Sequence, residues 1–224
     1  MSVFLSPSTP LPPSFQGHRS HRHEQPEATR IIDLASSEED ILKQMKQKGR
    51  YNIGVARKHG IIVQQTEDVD AFHRLLKQTG ERDQFGIKPL SHYKRLLQSI
   101  PGSFLLLAYP SHRNAAEAIA GLLAVIYGKK GIYYYGASAY EHRALMAPYL
   151  LQWEAMQYCK AHGCTQYDLL GVAPEGSGDD HAWAGITSFK EKFGGTLIPY
   201  PPEQQIILRP LALKALQIKR RILG

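Results

Sequence analysis

The chemistry of this chain starts from a lysine set between aromatics, in Ser188-Phe189-Lys190-Glu191-Lys192-Phe193-Gly194-Gly195. Phe189 and Phe193 stand one helical turn apart, and the Gly-Gly pair predicts the helix stop. Lys190 is a compact positive charge of the kind that can sit at a phosphate or an oxyanion. About 140 residues earlier, Lys48-Gly49-Arg50-Tyr51-Asn52-Ile53 opens a basic helix. From Lys43 to Lys58 there are six Lys/Arg and no acid. Arg50 and Arg57, seven apart, share one helix face, opposite the face of Ile53 and Ala56. That face reads either as phosphate binding or as a solvated surface. Phe193 reads as core. Phe189 reads as core or as an apolar wall for a substrate base. Asp168, Glu175 and Asp179 stand near strand ends as candidate bases, but none has an identifiable partner, so no base is assigned.

Other chemistries lack their residues. There is no G-x-S-x-G elbow and no Walker loop. Gly176-Ser177-Gly178 is too short for either. A coenzyme-A acyltransferase would need a glycine-rich turn before its long helix, to hold pyrophosphate on backbone N–H groups. Here that loop is Tyr135-Gly136-Ala137-Ser138-Ala139-Tyr140-Glu141-His142-Arg143-Ala144, with one glycine and several bulky side chains. The two cysteines, Cys159 and Cys164, form neither a disulfide framework nor a paired metal motif, which predicts a reducing, cytoplasmic setting. No metal site is predicted from His18, His21 and His23, which lie in a Pro- and Ser-rich stretch without cysteine or carboxylate support. A net charge of +7 favours polyanionic partners. No apolar run reaches about 18 residues, so no transmembrane helix is expected. The first residues lack a basic n-region and a long apolar run, which predicts no signal peptide.

The elements that must carry these residues follow from periodicity. Residues 1–29 show none and predict an extended or disordered lead-in. Residues 30–210 predict one domain, and 211–224 a basic C-terminal helix. Arg30-Ile31-Ile32-Asp33-Leu34 predicts a strand. Ser36-Ser37-Glu38-Glu39 predicts a capping box closed by Glu39, opening a helix to about Gln47. Further helices are expected over 50–59, 68–78, 90–99, 145–162 and 183–193. Strands are expected at 61–63, 104–107, 119–127, 132–135 and 167–170, and around Leu197 and Ile206. Gly128-Lys129-Lys130-Gly131 predicts a hairpin. Within Tyr133-Tyr134-Tyr135, side chains are expected to alternate faces. The order predicts an α/β (α+β) fold: a Gcn5-related N-acyltransferase-like mixed sheet flanked by helices, in a single domain.

Several motifs stand collinear. They are Arg30–Leu34 with its capping box, Lys48-x-Arg50-Tyr51-Asn52, Tyr135-Gly136-Ala137-Ser138, Ala147-Pro148-Tyr149-Leu150-Leu151-Gln152-Trp153, Tyr167-Asp168 and Phe189-Lys190-x-x-Phe193-Gly194-Gly195. In this order they resemble the FemABX family of peptidoglycan interpeptide-bridge aminoacyltransferases, from about Gln25 to about Leu208. The resemblance implies two tandem acyltransferase-like domains. It implies aminoacyl-tRNA as donor, with no further cofactor, and a UDP- or lipid-linked muramyl pentapeptide as acceptor. By position Lys190 matches the family's catalytic lysine, with Phe189 beside it. Lys48, Arg50, Asn52, Arg57 and Tyr135 fall to acceptor binding. This chain resembles the second domain alone, as a divergent member, a gene fragment, or one half of a split enzyme whose first domain is a separate protein, and the family's lipid-linked acceptor would bring it into peripheral contact with a membrane. The alternatives are a coenzyme-A-dependent N-acyltransferase of the same fold, and a non-catalytic single-domain remnant.

Overall fold

A computed structural model of the chain describes residues 2–20, 25–111 and 117–208. It divides into two compact units. The larger comprises Arg30–Leu170 and Ser188–Thr196. The smaller comprises the described residues up to Thr29, Gly171–Thr187, and the described residues from Leu197. The expected helix over 211–224 lies outside the described residues.

In the smaller unit, β1 (Ser2–Leu5) and β2 (His18–Arg19) flank β10 (Gln204–Ile207) in an antiparallel three-stranded sheet. The lead-in therefore contains strand where its composition predicts none. Backbone pairing depends on a partner strand and not on side-chain pattern, and the partner lies about 200 residues away in sequence.

The larger unit is built on a mixed sheet. Its strands are β3 (Ala28–Asp33), β4 (Ile61–Thr66), β5 (Ser103–Pro110), β6 (Ala120–Tyr127), β7 (Lys130–Ser138) and β8 (Gln166–Val172), and its last residue, Thr196, opens β9 (Thr196–Pro199). The order is β4-β5-β6-β7-β8-β3-β9. β4 through β7 pair antiparallel, and β6 and β7 are joined by the expected tight hairpin, Tyr127 facing Lys130. β7 and β8 run parallel. Residues Ala120–Val125 of β6 are all buried, because helices cover both faces of the sheet.

On one face lie α1 (Glu38–Gln44), α2 (Gln47–Lys58) and α5 (Ala147–Ala161), around Ile32, Phe104, Leu122, Trp153, Met156 and Phe193. On the other lie α3 (Val69–Asp83) and α4 (Leu90–Ser99), around Phe72, Leu76, Tyr93, Leu105 and Leu123. The cap of α1 is one residue later than expected. The Ser37 hydroxyl accepts from the Asp40 N–H and donates to the Asp40 carboxylate at 2.7 Å, so Asp40, not Glu39, is the acid that meets the cap. α5 begins at Ala147, not Leu145. The preceding residues Tyr140–Leu145 wind as a 3-10 turn, and Met146 breaks the run at φ +55°. Among the described residues, no helix is long and apolar enough to cross a membrane.

Candidate active site

The two motifs far apart in sequence meet in the larger unit. Phe189 and Lys190 end α6 (Ala184–Lys190), and Glu191–Phe193 continue as one 3-10 turn. α2 lies directly against that turn. A Cβ on Gly49 would stand 2.2 Å from the Lys192 carbonyl oxygen, so only glycine permits this approach. The Lys46 N–H donates to the same carbonyl at 3.1 Å. Gly194 adopts φ +77°, and a Cβ there would strike the Gln44 carbonyl at 2.2 Å. Arg30 donates to the Gly194 and Gly195 carbonyls at 3.3 and 2.9 Å. Glu191 is gripped by Lys46 at 2.7 Å, with Arg30 at 3.8 Å. The Gly-Gly pair thus does more than end a helix. It lets the lysine-bearing turn sit against backbone on two sides.

Lys190 is 6% exposed. Its Nζ lies 5.5 Å from the centroid of the Tyr133 ring, within the range of a cation–π contact. Burial lowers its pKa to about 8, and the charge of Asp168 opposes that shift. Phe189 is half-buried. Its ring meets Tyr149 edge-on at 5.1 Å and Phe193 at 5.2 Å. Phe193 is fully buried, in keeping with its core reading.

Tyr133 owes its position to an irregularity. Leu123 pairs with Tyr135 and Ala124 with Tyr133, so Tyr134 is an extra, exposed residue in β7. The bulge puts Tyr133 and Tyr135 on opposite faces although they are two apart, which corrects the expected strict alternation. Tyr133 packs on the Lys190 side. Its hydroxyl is pushed up to about 12 by burial, against a hydrogen bond with Gln152. Gln152 also accepts from the Tyr167 hydroxyl at 2.9 Å. Tyr135 packs on the α3–α4 side, 5.0 Å from Tyr93 between ring centroids and 3.1 Å from His92 Nε2 through its hydroxyl.

The remaining predicted binding residues lie on α2. Asn52 is buried beside Tyr149, whose hydroxyl it hydrogen-bonds, while its Oδ1 has no partner. Arg50 is exposed, and its guanidinium donates to the carbonyls of Lys43 and Met45 at the end of α1. Lys48 is exposed, with Nζ 5.7 Å from the Tyr51 ring centroid. Arg57 is exposed and acts on Glu154 of α5, a carboxyl raised mainly by burial and held down in part by Arg57. The fold therefore gathers Phe189 and Asn52 around Tyr149 and sets Lys190, the next residue after Phe189, over Tyr133. It places Lys48, Arg50 and Arg57 on the outer face of α2 and carries Tyr135 to the other side of the sheet. Tyr133, Gln152 and Tyr149 were not singled out from sequence as site residues. The Tyr-Tyr-Tyr run was the available signal, but the bulge that selects among its members leaves no mark in composition.

The start of α5 lacks a phosphate cradle. Pro148 in its first turn has no N–H, and the Tyr149 N–H is taken by the Met146 carbonyl at 3.0 Å. Tyr140, in the preceding turn, lies under the Arg143 guanidinium at 4.1 Å.

A mixed sheet whose central parallel pair follows a bulged hairpin strand is the acyltransferase type of fold. Comparison with known proteins agrees. The sequence pattern of the FemAB family matches residues 13–110 and 107–221, and the chain belongs to that family. It is 23% identical over 264 residues to the lipid II:glycine glycyltransferase of Staphylococcus haemolyticus (strain JCSC1435), covering 88% of this chain and 63% of that protein. The chain thus spans less than two thirds of that relative's length. A crystal structure of FemX superposes with a TM-score of 0.75 at 21% identity, over 96% of this chain and 68% of that one. A GCN5-related glucosamine N-acetyltransferase region within a fungal multi-domain β-N-acetylglucosaminidase matches at a TM-score of 0.52 and 12% identity, over 85% of this chain and 21% of that one.

Proposed function

We propose that this chain carries the lysine-bearing half of an aminoacyltransferase. The enzyme moves an amino acid from aminoacyl-tRNA to the stem-peptide amine of a peptidoglycan precursor, on the cytoplasmic side. Membership of the FemAB family and the likeness to lipid II:glycine glycyltransferases support the reaction class. The observation that carries the reading is Lys190: a buried cation with a lowered pKa, on a turn fixed by Gly49 and Gly194 and set over an aromatic ring. Perturbed ionisable groups of this kind concentrate at functional sites.

In the reaction the amine nitrogen attacks the ester carbonyl carbon, the bond to the ribose oxygen breaks, and an amide forms. The proton lost by the amine is matched by one gained on the ribose oxygen. Lys190, protonated at neutral pH, stabilises the negative charge that grows on the carbonyl and leaving oxygens. Phe189 shapes the apolar wall beside it. Lys48, Arg50 and Arg57 offer charge to acceptor phosphates from α2, and Asn52 presents its unpartnered oxygen to the donor or acceptor amine. Tyr135 stands apart from this group.

The test is incubation of the purified chain with charged tRNA and with UDP-linked or lipid-linked muramyl pentapeptide, read by mass spectrometry. Addition of one or more amino acids, abolished by Lys190→Ala with the fold intact, is expected. Transfer that survives Lys190→Ala removes the role given to Lys190. No addition to either acceptor overturns the proposed activity of this chain.

A further inference from the structure

Asp168 lies in β8 directly opposite Ile132 of β7, the residue before Tyr133. It is 4% exposed. Its Oδ1 accepts from the Leu170 N–H at 2.8 Å. Leu170 holds φ +57°, a left-handed conformation that a residue with a Cβ rarely adopts. A carboxylate accepting from the amide two residues on is the local bond that supports such a turn. The parallel ladder between β7 and β8 covers Lys130–Ile132 and Gln166–Asp168 and ends there. Asp168 is therefore the last residue of β8 in that ladder, and its own side chain ties to the amide of the left-handed residue two further on. Its Oδ2 faces Lys130, whose Nζ is 3.9 Å away.

The next residue of β7 after the ladder's end is Tyr133, and the Lys190 ammonium sits over that ring. Burial pushes the Tyr133 hydroxyl up to about 12, so that ring stays neutral while Lys190 titrates. The charge that opposes loss of the Lys190 proton is that of Asp168.

We propose that Asp168 is a positioning residue of this site: one oxygen ties down the Leu170 amide where β7 and β8 part, and its charge holds the Lys190 ammonium over the Tyr133 ring. The assignment rests on Lys190 being the working cation of the proposed reaction. A carboxylate in this place keeps a buried lysine charged, as an unpaired ammonium there would shed its proton.

Asp168→Asn separates the two tasks, because the amide oxygen still accepts from Leu170 while the charge is gone. Competitive labelling of lysines with acetic anhydride across pH, read on the Lys190 peptide by mass spectrometry, gives the Lys190 titration without any assay of transfer. In Asp168→Asn its midpoint is expected to fall by about one unit, tenfold more neutral amine at a given pH. Hydrogen exchange at the Leu170 amide should be unchanged. In Asp168→Ala the midpoint falls likewise and the Leu170 amide exchanges faster. Asp168→Ser, smaller and still an acceptor, serves if the Asn variant does not fold. A Lys190 midpoint equal to wild type in these variants overturns the proposal and leaves Asp168 a purely structural residue. With charged tRNA and precursor, Asp168→Asn should shift the pH profile of kcat by the same amount with KM unchanged. If the wild type transfers nothing but the Lys190 midpoint moves, the functional reading falls and the role of Asp168 stands.

Discussion

Lys190 is a charge that the fold holds at a cost. Its pKa in the folded chain is about 8, against 10.5 for an ordinary lysine. A lowered lysine pKa means that the native state binds the proton less well than the unfolded chain does. The penalty is therefore complete below pH 8 and fades as pH rises from 8 to 10.5. Lys190→Met cannot show that dependence. Chemical denaturation of both proteins across pH should find wild type gaining relative to Lys190→Met over that window, by up to about 3 kcal/mol. A constant difference would mean that Lys190 is not depressed. The helix-stop motif made the lysine legible in the sequence, through its aromatic neighbours and its glycines. Its burial was not legible, because the ring packed against it, Tyr133 of β7, lies far away in sequence. Tyr135 shows the same limit. Counting by two along β7 cannot tell Tyr133 from Tyr135, and one unpaired residue between them decides which faces the lysine.

At the level of elements, α2 contains a matched pair of glycines. Gly49 has the Lys192 carbonyl where its Cβ would be, whereas Gly54, also in α2, has nothing within 4 Å. Gly49→Ala should force α2 off the lysine-bearing turn and destabilise the fold by about 1–3 kcal/mol, the range of overpacking. Gly54→Ala, exposed in the same helix, should stabilise by about 0.5–1 kcal/mol. Thermal melts of the two variants should move in opposite directions. The sign at Gly49 also bears on transfer, since displaced helix packing moves Lys190. Most elements were legible, and α4 was expected over 90–99, where it stands. The boundaries that shifted have local causes. α5 starts two residues late because Met146 turns left-handed, and the α1 cap uses Asp40 because Ser37, not Ser36, is the capping residue. The two short strands of the lead-in have no local cause at all, since β10 supplies their partner.

For the chain as a whole, a net charge of +7 and a basic α2 face favour an anionic macromolecule over a small neutral ligand. If charged tRNA is the donor, its affinity measured by filter binding should fall at least about tenfold between 50 and 200 mM salt, as counterion release requires. An affinity indifferent to salt would remove phosphate contacts from the account. The blocked start of α5 leads to the opposite expectation for acetyl-coenzyme A: calorimetry should detect no binding, and tight binding would restore the coenzyme-dependent reading. The acyltransferase-type sheet was legible from the order of elements. The division into two units was not, because the smaller one is assembled from three separate stretches of chain.

The two thiols give the larger unit a clock. Cys159, on α5, and Cys164, just before β8, are both free and buried, and burial pushes both thiols upward. Neither can meet a reagent unless the packing between α5 and the sheet opens. Their reaction with an aromatic disulfide therefore times how often this core breathes. A ligand that stiffens the unit would register as slower labelling, even where it contacts neither cysteine.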